Sequence, residues 1–385
     1  METTTAIVTH YGTGGSLFYA QRCAIAFEKK GYQVLFYLPP NTDLGIKDRS
    51  LCRYILKEPS TPCPFFKVKL FKYLHHLSKY LYNAFVIRPE EHIKVVHLLF
   101  PFYLTDWITT DRLKKMGMKV VLTVHEIIPH RFFLGGSVDL KLLSKLYGDA
   151  DLLLVHTESL KEDLSCRLRI NPGKIKVIPH GFFNLPQSSL SVVVLKSKYH
   201  IPLGKKVLLF FGTIRENKGL DILLSTMQDL KEDYFLLIAG KTAGLSETPT
   251  HYYKRIIEVN RIRDAVNWVD RYISDEEASE VFKTADAVIL PYKKSFHAQS
   301  GVLNLAIGYE KPCVVADVGG MGETVAKFDL GIVVQPEDPR ALTSGIVSLF
   351  KKNNYRYGFR RYKEAMSWDK IVGKLIDEYI LISDI

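Results

Sequence analysis

The sequence predicts an α/β protein built from two doubly wound, mainly parallel sheets, each in its own domain, with a hinge between them. Three observations carry this. Short apolar, strand-like runs alternate with helical patterns; the alternation occurs twice; and a stretch of different character separates the two series. Strand–helix alternation marks βαβ units, because a parallel strand pair needs a crossover and the crossover is usually helical. The length agrees, since 385 residues exceed the size at which one hydrophobic core keeps growing.

The first series contains the strand candidates AIVTHY, QVLFYL, VVHLLF, KVVLTVH, LLLVHT and KIKVIPHG. The second contains KVLLFFG, YFLLIAG, VNWV, AVILPY, PCVVAD and GIVV. Between them lies FFNLPQSSLSVVVLKSKYHIPLGKK, whose Pro, Ser and change of pattern place the hinge between Phe182 and Lys205. The expected organisation is an N-terminal domain over 1–185, a linker over 186–204 and a second domain from 205, the two domains facing a cleft. In such sheets ligands bind beyond the carboxyl ends of the strands, so the loops after each apolar run are the candidates for chemistry.

Composition narrows the class. With 47% hydrophobic and 24% charged residues the chain is globular, and no apolar run is long enough to span a bilayer. The start METTTAIVTHYGTGG lacks the basic flank and cleavage site of a signal peptide. Five cysteines, Cys23, Cys52, Cys63, Cys166 and Cys313, are odd in number without C-x-x-C spacing. They read as free thiols in a reducing compartment, and the cytoplasm is the expected address. A net charge of +11 favours anionic lipid, nucleic acid or phosphorylated substrates. The densest basic-aromatic segment is FFKVKLFKYLHHLSKYLYNAFV, in which Phe66, Leu70, Leu74, Leu77, Leu81 and Phe85 recur at helical spacing. It fits a helix lying on an anionic membrane, with Lys67, Lys69, Lys72 and Lys79 near the headgroups, and equally a half-buried helix with a solvated face.

The loops form a consistent set. After the first strand, Gly12, Gly14 and Gly15 allow a tight turn and close approach of a ligand to a helix start. The spacing is not G-x-G-x-x-G and no acidic residue closes the next strand, which disfavours a nicotinamide dehydrogenase. His125-Glu126 ends the strand KVVLTV, where an imidazole can take a proton or bond a sugar hydroxyl, or simply pair with backbone. Pro179-His180-Gly181 follows KIKVI. In the second half, KVLLFFG runs into a turn with Arg215 and Lys218 three apart, a guanidinium fork and an ammonium able to reach a diphosphate. After AVILPY, Gln299-Ser300-Gly301-Val302 opens an apolar helix whose free N–H groups and dipole suit a phosphate. Two anion-suited elements at one sheet edge suggest one anionic ligand. No Walker A motif is present.

With these residues in place, the sequence resembles the GT-B glycosyltransferases, and within them the retaining glycosyltransferase family 4. The matching elements are GTGGS, VVLTVHEIIPH, ADLLLVHTESLKEDL, KIKVIPHG, GTIRENKGLDILL, the IAGK turn, SDEEASEVFKTADAVILPY, QSGVLNLAIGYEKPCVVADVGGMGE and SWDKIVGKLIDEYI, in order over nearly the whole chain. The resemblance implies two Rossmann-like domains, with the acceptor held by the first and a nucleotide-diphosphate sugar by the second, spanning 205–367. It also implies that a last helix, 368–385, crosses back onto the first domain. Arg215 and Lys218 would neutralise the leaving diphosphate, the amides of Ser300, Gly301 and Val302 would cradle it, and Gly14 and Gly15 would approach it from the other domain. His125 would contact the transferred sugar. No metal or other cofactor is implied.

One departure stands out. The family's Glu-x7-Glu pattern is missing, with His297 and Leu305 at those positions, so the ribose contact lacks its usual glutamate. Glu323, after Val318-Gly319-Gly320, is the candidate substitute. The expected function is transfer of a hexose from a nucleotide sugar, UDP preferred over GDP, to a saccharide or lipid-linked acceptor in polysaccharide biosynthesis. The rivals are a GT-B phosphorylase or epimerase and a non-catalytic sugar-nucleotide-binding protein. No motif supports nucleic-acid binding.

Overall fold

The computed structural model describes residues 4–58, 69–129, 132–183, 185–243, 248–352 and 354–383, with side chains from 74 onward in the helix that begins at Lys69. The chain divides into two compact units, Met1–Gly181 together with Met366–Ile385, and Phe182–Ala365.

The first unit holds a seven-stranded parallel sheet of β1 (Thr5–Val8), β2 (Val34–Tyr37), β3 (Cys52–Arg53), β4 (Val95–Leu98), β5 (Lys119–Thr123), β6 (Leu152–Val155) and β7 (Ile175–Val177). Their order is β3-β2-β1-β4-β5-β6-β7. Ala6 stands opposite Leu35 on one side and Val96 on the other. Because side chains alternate across a strand, Ala6 and Val8 enter one core layer and Ile7 the other. Burial on both faces is why these strands read as continuous apolar runs. At two residues, β3 is too short to leave a periodic signal.

The terminal helix Trp368–Ser383 belongs to this unit. Its Ile371, Val372, Leu375 and Tyr379 join the core layer of the helix Gly14–Lys29. The rings of Phe27 and Tyr379 stack with centroids 6.2 Å apart. The Tyr379 hydroxyl and His97 Nδ1 lie 2.6 Å apart, and His97 Nε2 is 2.7 Å from the Thr123 hydroxyl, so the helix is keyed to β4 and β5 by a buried polar chain.

The helix Lys69–Val86 departs from its expected orientation. Lys79, expected at a membrane surface, is buried with Tyr80, Asn83 and Ala84, while Leu74, Tyr82 and Phe85 are exposed. The reason is a polar network beneath the helix. Asn83 Oδ1 accepts from Lys57 N at 2.7 Å, and Asn83 Nδ2 donates to the Lys57 carbonyl at 2.8 Å. Periodicity of apolar residues cannot reveal such a face. Cys63, Phe66 and Lys67, and the side chains of Lys69, Leu70 and Lys72, lie outside the described residues. Among the described residues no helix is long and apolar enough to cross a membrane, and Cys23, Cys52, Cys166 and Cys313 are free thiols.

The second unit holds a six-stranded parallel sheet of β8 (Lys206–Phe211), β9 (Tyr234–Ala239), β10 (Val266–Val269), β11 (Ala287–Leu290), β12 (Cys313–Ala316) and β13 (Gly331–Val334). The order is β10-β9-β8-β11-β12-β13. Residues 186–204, expected as a linker, contain the helix Val192–Lys198, capped by Ser191 and buried through Leu195. Just beyond it, Asn267 Nδ2 donates to the Tyr199 carbonyl at 2.7 Å and the Tyr199 hydroxyl donates to Glu280 at 2.8 Å. The segment is therefore part of the second unit. Its run of three valines, weak helix formers, hid the helix.

Candidate functional site

In each sheet the strand order reverses once, between β1 and β4 and between β8 and β11. The loops leaving those strands diverge there and open a crevice at the carboxyl edge. In the second unit, the loops after β8 and β11 carry Arg215 and Lys218 and the Gln299-Ser300-Gly301 turn. The two loops are locked together. Gly219 has φ +67°, and a Cβ there would lie 2.0 Å from the Pro291 carbonyl oxygen, so only glycine fits. Lys293 N donates to the Asn217 carbonyl at 2.9 Å.

This locking brings the predicted cations to the helix start. A Cβ built at Gly212 would sit 3.3 Å from Lys218 Nζ and 3.4 Å from Val302 Cγ2, so the ammonium and the first turn of the helix Gly301–Gly308 border the same point. The ammonium also lies 5.7 Å from the centre of the buried Tyr292 ring. Burial, and after it the neighbouring Arg215 guanidinium, push Lys218 down from 10.5 to about 7. Arg215, half-buried, opens the short turn Glu216–Lys218.

The helix start is held by Ser300, whose hydroxyl accepts from Leu303 N at 3.2 Å and lies 3.4 Å from the Tyr292 hydroxyl. Gly301, the first helical residue, is exposed, and a Cβ there would meet nothing within 4 Å. It is not among the glycines with positive φ, so the turn carries no strain there. Gln299 Oε1 and both polar atoms of Asn304 are buried without a hydrogen-bond partner. Glu323 is half-buried in the first turn of the helix Met321–Phe328. The turn before that helix packs against the Gln299 segment, since a Cβ on Gly319 would lie 2.4 Å from the Ala298 carbonyl.

The first unit presents a second group of strand-end residues. Gly14, with φ +68°, and Gly15 begin a 16-residue helix with no acidic residue in its first turn. Neither glycine has anything within 4 Å of where a Cβ would stand. Thr13 does not cap the helix; its hydroxyl donates to Glu58 at 3.0 Å. Below the turn, His10 Nε2 pairs with the buried Asp106 at 3.0 Å, and its Nδ1 lies 3.2 Å from Asn83 Nδ2.

His125, His156 and His180 follow β5, β6 and β7 and gather around Tyr19. The His125 ring stacks on Phe100 with centroids 4.2 Å apart and planes 6° from parallel. His125 Nδ1 is 3.0 Å from His156 Nε2, and His156 Nδ1 is 3.0 Å from the Ile178 carbonyl. Burial depresses all three imidazoles, His125 well below 6.5, His156 to about 4 and His180 to about 3. They are neutral at physiological pH. Trp368 edges onto Tyr19 and His180, and a Cβ at Gly181 would collide with its indole.

The structure thus joins Arg215, Lys218, Gln299, Ser300, Gly301 and Val302 at one edge of the second unit, and Gly14, Gly15 and His125 at the carboxyl edge of the first. Sequence reasoning missed Tyr292, Asn304 and His156. Tyr292 and Asn304 sit in apolar stretches that read as core, and His156 closes the strand LLLVHT without a motif of its own. Among the described residues no group of three His, Cys, Asp or Glu side chains is placed to hold a metal ion.

Comparison with known proteins gives this geometry a context. Residues 13–182 match the family profile Glycosyltransferase Family 4, and residues 194–366 match Glycosyl transferases group 1. D-inositol 3-phosphate glycosyltransferase of Corynebacterium efficiens is 27% identical over 222 residues, 55% of this chain and 51% of that protein. The chain spans about half the length of the curated relatives it matches. Among solved structures, sucrose-phosphate synthase from Thermosynechococcus elongatus superposes with a TM-score of 0.72 at 18% identity, covering 98% of each chain. Anabaena HepE in complex with UDP gives a TM-score of 0.72 at 14% identity, covering 98% of this chain and 99% of that one. At these identities the likeness speaks for the fold, which is GT-B. Two profiles in tandem, two doubly wound parallel sheets and a terminal helix returned to the first unit agree: the chain belongs to the glycosyltransferases of group 1 and family 4.

Proposed function

We propose that the protein transfers a hexose from a UDP-sugar to a saccharide or lipid-linked acceptor, with retention of anomeric configuration, in polysaccharide assembly. The observation that carries this reading is the Lys218 ammonium bordering the uncovered first turn of the Gly301–Gly308 helix, with Arg215 beside it. A diphosphate there receives two cations and unpaired backbone N–H groups at once. When the sugar C1–O bond breaks, its electron pair leaves on the β-phosphate oxygen, and these groups stabilise that charge more than they stabilise the intact donor. The acceptor hydroxyl bonds C1 on the same face, and its proton passes to the departing phosphate. No metal is needed in this scheme, because Arg215 and Lys218 take the charge. Half-buried Gln299 and buried Asn304, with their orphaned polar atoms, are suited to the nucleotide's hydroxyls or base. Glu323 remains the candidate for the ribose. UDP is favoured by the UDP-bound HepE structure.

His125 is proposed as the residue that meets the transferred hexose. The exposed Leu74, Tyr82 and Phe85, on a chain of net charge +11, support peripheral contact with an anionic membrane on its cytoplasmic face. Incubation with UDP-glucose, UDP-galactose, UDP-N-acetylglucosamine and GDP-hexoses, followed by product analysis, tests the reaction. Transfer, phosphorolysis, epimerisation and bare binding leave different products, and the anomeric configuration is read by NMR. Arg215→Ala and Lys218→Ala should each cut transfer by about 100-fold or more. Normal turnover in both folded variants would move the donor site elsewhere.

A further inference from the structure

The loop that leaves β5 runs to three consecutive large apolar residues that stand in water. Phe132, Phe133 and Leu134 are 39%, 40% and 54% exposed, and Val138, in the first turn of the helix Gly136–Asp149, is 45% exposed. Such a run is kept at a surface only where a partner covers it. The loop is also held in place and cannot fold its apolar residues inward. The fully buried Asp139 carboxylate accepts from Phe133 N at 3.1 Å, from Leu134 N at 2.9 Å and from the Tyr103 hydroxyl at 2.6 Å. Gly135, with φ +108°, makes the turn into the helix. A buried carboxylate is costly unless hydrogen bonds fill its lone pairs, and here the backbone of the apolar residues fills them.

The surroundings of the loop indicate the chemistry of that partner. The helices Lys69–Val86, Asp106–Lys115 and Gly136–Asp149 lie side by side, the middle one touching both others. A file of rings ties the loop to the first of them: Phe133 lies 5.9 Å from Phe102, which stacks on Tyr80 with centroids 3.9 Å apart. That helix exposes Leu74, Tyr82 and Phe85. Together the three helices carry eight Lys and Arg against four Asp, and Asp106 and Asp139 among the four are fully buried. Arg112 stands 5.2 Å from the centre of the Phe85 ring, and Lys57 Nζ 4.0 Å from that of Tyr82. Apolar side chains bordered by cations match the acyl boundary and headgroups of an anionic bilayer, whereas a second copy of this face would set cations against cations. We infer that Phe132 and Leu134 insert below the headgroups of an anionic bilayer, as a second anchor beside the helix Lys69–Val86. Insertion brings the edge from which His125 leaves β5 toward the membrane surface, which favours the lipid-linked of the two acceptor classes. The purpose of this anchor rests on the transfer reaction proposed above; its geometry does not.

Flotation of the full chain with vesicles of phosphatidylcholine, and with vesicles of equal parts phosphatidylcholine and phosphatidylglycerol, tests the inference. The wild-type protein should float with the anionic vesicles, and less as salt rises. Phe132→Ser/Leu134→Ser should lower the partition coefficient by about tenfold or more. Val193→Ser, which removes an exposed apolar side chain from the second unit, should leave it unchanged. Because the side chains removed are exposed, the melting temperature and UDP affinity of the loop variant should stay at wild-type values. In Leu134→Trp the added fluorescence should be quenched by brominated phosphatidylcholine in the anionic vesicles, which places the loop among the acyl chains. Wild-type partition of the loop variant, with partition lost in Leu74→Ser/Phe85→Ser, overturns the second anchor and leaves the helix contact standing. Absence of flotation with either vesicle overturns both, while product analysis with UDP-sugars judges the transfer reaction separately. A wild-type dimer in solution that the loop variant converts to a monomer assigns the face to a second copy and overturns the bilayer.

Discussion

Raising the pH above 7 should weaken UDP binding through Lys218. In the ligand-free protein burial holds this ammonium at about 7 instead of 10.5. About half of the molecules carry the charge at pH 7 and about one tenth at pH 8. A diphosphate bound at the site favours the charged form and raises the pKa, so binding above pH 7 must draw a proton from solution. The sign follows: the affinity contributed by Lys218 is fully present below pH 7 and is lost as pH rises, by about tenfold per unit, until the pKa of the complex is reached. On the acid side the nucleotide's terminal phosphate gains a proton near about pH 6, so affinity should peak between about 6 and 7. Isothermal titration calorimetry in two buffers of different ionisation enthalpy should give an uptake of about 0.5 proton per UDP at pH 7 and about 0.9 at pH 8. Lys218→Arg keeps a charge throughout this range and should abolish both the uptake and the alkaline loss. Flat wild-type affinity from pH 7 to 9, or the same alkaline loss in Lys218→Arg, would refute the placement of the ammonium on the diphosphate.

Gly301→Val adds bulk where the structure has open space and no positive φ, so it should fold normally yet lose UDP affinity by about tenfold or more, read by calorimetry. Leu303→Ala, fully buried two residues on, should instead cost about 2 to 5 kcal/mol of stability in denaturant melts. Tyr379→Phe deprives buried His97 of its partner at 2.6 Å and should destabilise by about 1 to 3 kcal/mol in the same melts, whereas no change would show that the terminal helix is held by apolar contacts alone. Acid should unfold the first unit early. His97 and His156, depressed by burial to about 3 and about 4, bind protons in the unfolded chain from about pH 6.5 downward, so stability is intact above 6.5 and each group removes about 1.4 kcal/mol per unit below it. A melting temperature unchanged from pH 7 to 4.5 would contradict this.

The apolar runs of the sequence already specify both parallel sheets, because strands covered by helices on both faces need unbroken hydrophobicity and cannot hide it. The glycine turns, the Arg215–Lys218 spacing and the Gln299-Ser300-Gly301 helix start are equally local, since a strand-to-helix turn lies within a few consecutive residues. Where pattern failed, a contact distant in sequence had the last word. Asn83 turns the Lys69–Val86 helix by bonding Lys57, and Tyr199 draws the expected linker into the second unit through Asn267 and Glu280. The histidine relay is of the same kind, with residues 125, 156 and 178 arriving from three neighbouring strands, so no single segment records it. The sequence alone determined the two doubly wound sheets and which loops are fit for an anion, because hydrophobic period and backbone chemistry are properties of short segments. Only the tertiary structure decided that Lys218 meets the Gly301 helix, and that His125 meets His156, because strand order and burial set those distances.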